Sequence, residues 1–360
     1  MRLILVGGGT SGHINPALNI ADYIKKINKN AKILYIGSKN GMEVNLAKKA
    51  GLDFKGITVS GFSRKFDFKS IKKNIISIKN ILISSFESRK ILKEFKPDIC
   101  IGTGGYVMGA FLSQAYLMKI PFLLQEQNAV PGFTSKFLSK YAQTVFLGNK
   151  TAAKYLRTDK FIITGNPIKN NFSNINNINK KEAQKKLGIT NNLPVILSFG
   201  GSLGSESIND LTLEIIKTKK YNHIHSYGKN NTNFKNKLKN INIKNINIKE
   251  YFYNIDECMA ACDLIICRSG AMTLSELATL GKPAILIPSP NVTNNHQYLN
   301  AIAYAKKFTA SVIQEKELNT QRLDSEISRL LNLKEKVNSE KNNACEEIYK
   351  FLTSFFYHDS

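Results

Sequence analysis

The chain has 360 residues, 42% of them hydrophobic and 22% charged, which suits two domains of ordinary size with cores of their own. No run approaches the ~18 apolar residues of a membrane span, the opening MRLILVGGG reads as a first strand and not a signal peptide, and the cysteine count of five is odd, so a cytoplasmic protein is expected. The net charge of +24 comes largely from Lys, abundant together with Asn and Ile as an AT-rich coding bias would make it; it favours encounter with anionic surfaces and leaves nucleic acid and anionic lipid open.

Leu3-Ile4-Leu5-Val6 predicts a buried strand that runs into Gly7-Gly8-Gly9-Thr10-Ser11-Gly12-His13, with a helix from about Pro16 carrying Ala17, Leu18, Ile20, Ala21 and Ile24 inward. Gly7-x-Gly9-x-x-Gly12 matches the dinucleotide fingerprint. That fingerprint also needs an acidic residue at the end of the second strand, and Ile33–Ile36 ends in Gly37-Ser38, so an NAD site loses its main support. His13 stands where a glycine-rich loop meets a helix. There it can take a proton from a hydroxyl near bound phosphates, or simply cap and pack. Residues 69–92 read as one helix, with Ile71, Ile75, Ile78, Leu82 and Phe86 in a stripe beside Lys69, Lys72, Lys73 and Lys79; the pattern fits a membrane-surface helix and a packing helix alike.

Pro97–Gly102 is a further buried strand, and Thr103-Gly104-Gly105-Tyr106-Val107 a second glycine-rich turn into a helix. Pro121–Leu124 leads into Gln125-Glu126-Gln127-Asn128, with Pro131-Gly132 in the loop after it. Three strand ends thus carry polar or glycine-rich loops at one edge of a parallel sheet, where an open α/β sheet binds its ligand. Thr164–Lys169 marks a domain boundary, and Asn170–Lys181 reads as a solvated linker or loop. The strand Pro194–Phe199, the loop Gly200–Ser205 and a helix echo the opening of the chain. Residues 229–249 read as loop with an irregular short helix.

Two apolar strands, Leu264-Ile265-Ile266 and Ala284–Ile287, enclose CRSGAMTLSELATLG at 267–281. Ser269-Gly270 reads as the N-cap of a helix over Ala271–Leu280 that Gly281 and Pro283 terminate. The mouth of such a helix presents unpaired N–H groups and a partial positive charge, which suits a phosphate. Thr273 and Glu276 share a face at i, i+3. Glu276 can accept hydrogen bonds from a sugar's vicinal hydroxyls, or remain a solvated helix residue. Cys258, Cys262 and Cys267 lie close in sequence but lack a neighbouring His or second CxxC pair, so no metal site is expected. Ala344–Tyr357 is amphipathic and is expected to pack back on the first domain.

Two Rossmann-like halves, each opened by a glycine-rich turn, describe an α/β protein of GT-B architecture, with parallel sheets facing each other across a cleft. GGGTSGHINPAL at 7–18, GTGGYV at 102–107, EQN at 126–128, GNPI at 165–168, GGS at 200–202 and CRSGAMTLSELATLGKPAILIP with NNHQ at 267–297 resemble, in order and over nearly the whole chain, the MurG family. The resemblance implies inverting transfer of N-acetylglucosamine from UDP-GlcNAc to the C4 hydroxyl of the muramyl sugar of lipid I, giving lipid II for peptidoglycan. It implies an acceptor and membrane domain at 1–165, a donor domain at 166–343, and a helix at 344–360 returning to the first. Donor residues would be Lys169, Ser202, Ile255, Ala271, Met272, Thr273, Leu274, Ser275, Glu276 and Gln297, with Thr10, Ser11, Gly12 and Asn128 approaching the transferred sugar. Gly104, Gly105 and Tyr106 would form acceptor-side loops, and His13 with Glu126 the catalytic pair, the choice of base between them open.

The lipid acceptor tips the 69–92 helix towards membrane contact through Ile75, Leu82, Lys72 and Lys79, at the anionic cytoplasmic face of the membrane. No cofactor is implied, and the absence of an Asp-x-Asp pair argues against a metal. Cell-wall or division-complex proteins are implied as further partners. Nucleic acid is not, because Lys is scattered and no recognised module is present. The sequence departs from the family at Gln125, where a His usually stands, at Lys169 in place of an Arg that would contact the donor bidentately, and at Leu203 in place of Gln.

Overall fold

Strands as uniformly apolar as Leu3–Val6 and Leu264–Ile266 have no polar face to turn to water, so both of their faces are covered; crossovers long enough for a helix make the sheets parallel. A computed structural model shows this arrangement twice. It describes residues 1–60, 68–173, 175–229, 231–238, 245–292, 295–333 and 338–358, the side chains of 68–78, 173, 176, 357 and 358 excepted. The chain divides into one unit of Met1–Ile168 with Asn342–Ser360 and a second of Lys169–Lys341.

Unit 1 runs β1 (Arg2–Gly7), α1 (Ser11–Ile27), β2 (Lys32–Ser38), α2 (Glu43–Lys49), β3 (Asp53–Ile57), α3 (Phe68–Phe95), β4 (Ile99–Gly104), α4 (Gly105–Leu117), β5 (Phe122–Glu126), α5 (Phe133–Leu138), β6 (Val145–Leu147) and β7 (Phe161–Ile163). Its seven strands are parallel, in the order β3-β2-β1-β4-β5-β6-β7. The order reverses between β1 and β4, so the two glycine-rich loops flank the topological switch point. On one face α1 packs with Ile14, Ala17, Ile20 and Ile24 turned inward; on the other, α4 supplies Met108, Phe111 and Leu112.

Unit 2 runs α6 (Asn170–Ser173), α7 (Lys180–Lys186), β8 (Val195–Phe199), α8 (Glu206–Lys217), β9 (Asn222–Ser226), α9 (Thr232–Leu238), β10 (Ile246–Lys249), α10 (Ile255–Ala261), β11 (Leu264–Cys267), α11 (Ala271–Leu280), β12 (Ala284–Leu286), α12 (His296–Ala305), β13 (Ala310–Val312) and α13 (Thr320–Leu331). Six parallel strands follow the order β10-β9-β8-β11-β12-β13, and the switch point falls between β8 and β11. The final helix, α14 (Ala344–His358), belongs to unit 1, where Ile348 and Leu352 are fully buried against the α1 side of the sheet.

Several local expectations are corrected. Helix α1 starts at Ser11 and not near Pro16, because an extended Thr10 sets the turn; Pro16 lies inside the helix. Asn170–Lys181 is not a bare linker: α6 and a 3₁₀ turn at Ile175–Asn177 form around buried Phe172 and Ile175, and Asn179 caps α7 by accepting from Lys181 and Glu182. Within 229–249, β10 pairs with β9 as an edge strand. Strand β9 itself, reading NHIHS, escaped the sequence reading because its polar residues are buried where apolar ones were sought.

Candidate functional site

At the unit 1 switch point, the glycine loop after β1 delivers His13 to the second residue pair of α1, and Nδ1 of His13 lies 3.2 Å from the Gly8 carbonyl and 3.4 Å from Oγ1 of Thr10. The hydroxyl of Thr103 donates to the His13 carbonyl at 2.7 Å, tying β4 to the same turn. Gly104, at φ 125°, lies flat against the imidazole: a Cβ there would stand 2.4 Å from His13 Cδ2. Gly105, at φ 85°, leaves room for the Gly8 carbonyl in the same way. The next residue, Tyr106, is exposed, while Ser11, Gly12 and His13 are partly buried and Thr10 is exposed.

Glu126 ends β5 as a buried carboxylate, and its Oε1 accepts from the backbone N–H and the side-chain amide of Asn128 at 3.0 and 3.1 Å. It makes no hydrogen bond with His13 among the described residues. Behind it, Gln125, Gln127 and Asn166 form a buried amide network: Gln125 donates to Asn166 at 3.0 Å, Gln127 donates to the Thr103 carbonyl at 2.8 Å, and Asn166 donates to the Gln127 carbonyl at 3.2 Å. Gln125, the departure from the family pattern noted in the sequence, supplies this network with a group that carries no charge at any pH.

Unit 2 repeats the plan. The loop Gly200–Ser205 follows β8, and Arg268, at the end of β11, holds it by donating to Oγ of Ser205 at 2.6 Å and of Ser207 at 3.3 Å. The same guanidinium donates to the carbonyls of Ile287 and Pro288 and pairs with Glu315 at 2.7 Å, so one side chain fixes three loops around the switch point. Helix α11 occupies the expected span, ending at Gly281 in the left-handed conformation. Its cap differs from the expectation: Gly270 alone holds the cap position, while Ser269 is buried and donates to the Gln297 carbonyl at 2.9 Å. The Gln297 side chain in turn accepts from the N–H of Ser289 at 2.9 Å.

Thr273, Ser275 and Glu276 lie partly buried on α11, whereas Met272 and Leu274 face the core, so only their backbone is open to a ligand. Burial pushes the Glu276 carboxyl up to about 7; Lys169 pulls it down and Asp256 pushes it further up. Tyr251 is raised by burial and then by Glu276, which puts its ring near the carboxylate, and it packs edge-to-face on the exposed Tyr253 at 5.0 Å. Ile255 opens α10, whose carboxyl end is held by Lys282 donating to the carbonyls of Met259, Ala260 and Cys262 at 2.6–2.8 Å. Ser202 is partly buried beside an exposed Leu203, and Lys169 is exposed.

The structure therefore gathers His13, Thr10, Ser11, Gly12, Gly104 and Gly105 at one switch point, with Glu126 and Asn128 paired at the end of the neighbouring β5. It gathers Ser202, Ala271–Glu276 and Gln297 at the other. Two residues of consequence escaped the sequence reading. Arg268 stands only within a motif in the sequence, although a charged residue that ends an apolar strand, two positions before a glycine, marks a loop anchor. Glu43 sits fully buried beneath the first glycine loop, and the two glycines shortly before it, Gly37 and Gly41, both make room for its side chain.

Helix α3 buries Ser84, Ser88, Ile91 and Leu92 and turns Ile81, Leu82, Ile83 and Phe86 outward, with Leu82 70% and Phe86 73% exposed. Lys79 is exposed as well, while the side chains of Ile75 and Lys72 lie outside the described residues. Tyr116 and Leu117, at the end of neighbouring α4, are also exposed. Among the described residues no helix is long and apolar enough to cross a membrane.

Models of the N-terminal and C-terminal domains of glycosyltransferase family 28 match residues 3–147 and 195–354. The chain is 42% identical, over 98% of its length and 97% of the relative's, to a UDP-N-acetylglucosamine–N-acetylmuramyl-(pentapeptide) pyrophosphoryl-undecaprenol N-acetylglucosamine transferase of Acetivibrio thermocellus. It is 42% identical, over 92% of its length and 90% of the relative's, to the enzyme of that name from Finegoldia magna. The crystal structure of Acinetobacter baumannii MurG superimposes with a TM-score of 0.74 at 25% identity, covering 98% of this chain and 99% of that one. A UDP-GlcNAc 2-epimerase from Neisseria meningitidis, at 16% identity and a TM-score of 0.63 over 98% and 100% of the two chains, shares the fold. With its two glycine-loop sheets of GT-B type, the chain is a family 28 glycosyltransferase and belongs to the MurG family.

Proposed function

We propose that the chain transfers N-acetylglucosamine from UDP-GlcNAc to the C4 hydroxyl of the muramyl sugar of lipid I, with inversion, giving lipid II. The observation that carries this reading is α11: a helix mouth at the unit 2 switch point, opened by a glycine, with Glu276 on the accessible face. The diphosphate lies at the first turn of α11 beside Ser202, the ribose hydroxyls donate to Glu276, the uracil edge meets the Ile255 backbone, and Gln297 and Lys169 complete the donor site. As the bond from the sugar's C1 to the diphosphate oxygen breaks, the electron pair leaves with UDP, and the helix-end N–H groups and Lys169 stabilise the charge that develops.

Unit 1 supplies the acceptor side. His13 takes the proton from the C4 hydroxyl as its oxygen bonds to C1, Glu126 orders Asn128 against the transferred sugar with Thr10, Ser11 and Gly12, and Gly104, Gly105 and Tyr106 line the acceptor. The outward face of α3, with Lys79, Leu82 and Phe86 and joined by Tyr116 and Leu117, rests on the anionic cytoplasmic membrane surface, where each basic residue contributes about 1 kcal/mol.

Purified protein given UDP-GlcNAc and a lipid I analogue should release UDP and form the disaccharide product, in EDTA as in its absence. The fold shared with a UDP-GlcNAc 2-epimerase supplies the competing outcome: conversion of UDP-GlcNAc without acceptor, or no UDP release with both substrates intact, would overturn the assignment.

A further inference from the structure

Glu43 is the first residue of α2 and is fully buried, with its carboxylate turned onto unit 1's own Ser38 and Gly9. Its Oε1 accepts from the N–H and hydroxyl of Ser38 at 2.8 and 2.7 Å, and its Oε2 from the N–H of Gly9 at 3.4 Å. Space for the carboxylate is made by glycines: a Cβ on Gly8, Gly37 or Gly41 would come within 2.4, 2.3 or 2.2 Å of the Glu43 side chain. A carboxylate so enclosed accepts nothing from a substrate.

The Gly9 N–H belongs to the same peptide plane as the Gly8 carbonyl, and that carbonyl is the nearer partner of His13 Nδ1, at 3.2 Å. A carbonyl only accepts, so in the neutral imidazole this contact puts the hydrogen on Nδ1 and leaves the lone pair to Nε2. An amide whose N–H is drawn by an anion is a stronger acceptor at its oxygen, because hydrogen bonds in series polarise one another. We infer that Glu43 is a positioning residue for His13, acting through the Gly8–Gly9 peptide that both side chains engage. The arrangement does what a carboxylate does when bonded directly to a catalytic imidazole, fixing tautomer and ring orientation, but with one peptide interposed. The catalytic consequence rests on the proposed role of His13 as base; the tautomer does not.

The test uses full-length protein. In the wild type, the nitrogen NMR signals of His13 should report the Nδ1–H tautomer, and an Nε2–H tautomer would overturn the inference without any variant. Glu43→Gln turns an NH₂ donor towards one of the three donors the carboxylate now satisfies; it should mix the His13 tautomers and lower kcat tenfold or more while donor KM stays within twofold. Ser38→Ala, which removes a Glu43 partner away from the peptide, should leave the His13 tautomer unchanged. In a His13→Ala background Glu43→Gln should cause no further loss; an equal fold-loss in both backgrounds would show that Glu43 acts on something else. If His13→Ala alone keeps full turnover, the base assignment falls, and the tautomer measurement still decides the relay.

Discussion

In the proposed donor site Glu276 imposes a pH signature that can be worked out beforehand. Its carboxyl sits at about 7, so it is about nine-tenths ionised at pH 8 and about one-tenth at pH 6. With the ribose placed as proposed, the ionised form accepts from its hydroxyls more strongly than the protonated one, so donor affinity should fall as pH falls, by up to about tenfold between pH 8 and 6. Hydrogen bonds to a charged acceptor contribute about 1.5–3 kcal/mol, so Glu276→Gln should weaken binding at pH 8 by roughly ten- to a hundredfold and approach the wild type at pH 6. Removing the positive charge with Lys169→Gln should move the wild-type midpoint up, and Asp256→Asn should move it down, because these groups lower and raise the carboxyl respectively. Equilibrium titration with UDP-GlcNAc, without acceptor, isolates the effect from chemistry at His13. A dissociation constant flat from pH 6 to 8 in the wild type, or equal affinity of Glu276→Gln at pH 8, would remove Glu276 from the ribose.

Phe86→Ser and Leu82→Ser should each reduce binding to phosphatidylglycerol vesicles about tenfold or more, since a fully inserted large apolar side chain contributes about 1.5–3 kcal/mol. Both side chains are largely exposed, so melting temperatures should not move, and unchanged vesicle binding would return α3 to a purely structural role. Gly104→Ala places a methyl 2.4 Å from the His13 ring at φ 125°; strain of about 2 kcal/mol should lower the melting temperature by several degrees and turnover with it, and a variant with normal kcat would show that the ring has another place to go. Burial lowers His223 to about 4 and His225 to about 3. Below their ordinary 6.5 the unfolded chain takes up protons that the folded one refuses, so unit 2 should lose roughly 1.4 kcal/mol per histidine for each pH unit from 6.5 towards 4. Denaturant midpoints measured over that range should fall in the wild type and fall about half as steeply in His223→Leu, where His225 alone remains; a flat wild-type profile would refute the burial argument.

Much of the site was legible because it is built from local rules. The span of α11 follows from helix formers bounded by Gly270 and Gly281, and the loops Gly7–His13, Gly104–Gly105 and Gly200–Ser205 follow from apolar strands that end in glycine. Such features depend on neighbours a few residues away, so periodicity and turn chemistry suffice to place them.

What the sequence hid depends on groups that meet from far along the chain. Ser269 looks like a helix cap until the Gln297 carbonyl, 28 residues on, takes its hydroxyl. Strand β9 looks polar until the sheet encloses both of its histidines. Sequence by itself determined two α/β units, their glycine loops and the span of α11. Only the tertiary structure decided which face of α3 stays exposed, where Arg268 reaches, and that Glu43 lies beneath Gly9, 34 residues away. Burial and hydrogen-bond partnership are properties of what packs against a residue, and no local pattern encodes the neighbour that folding brings.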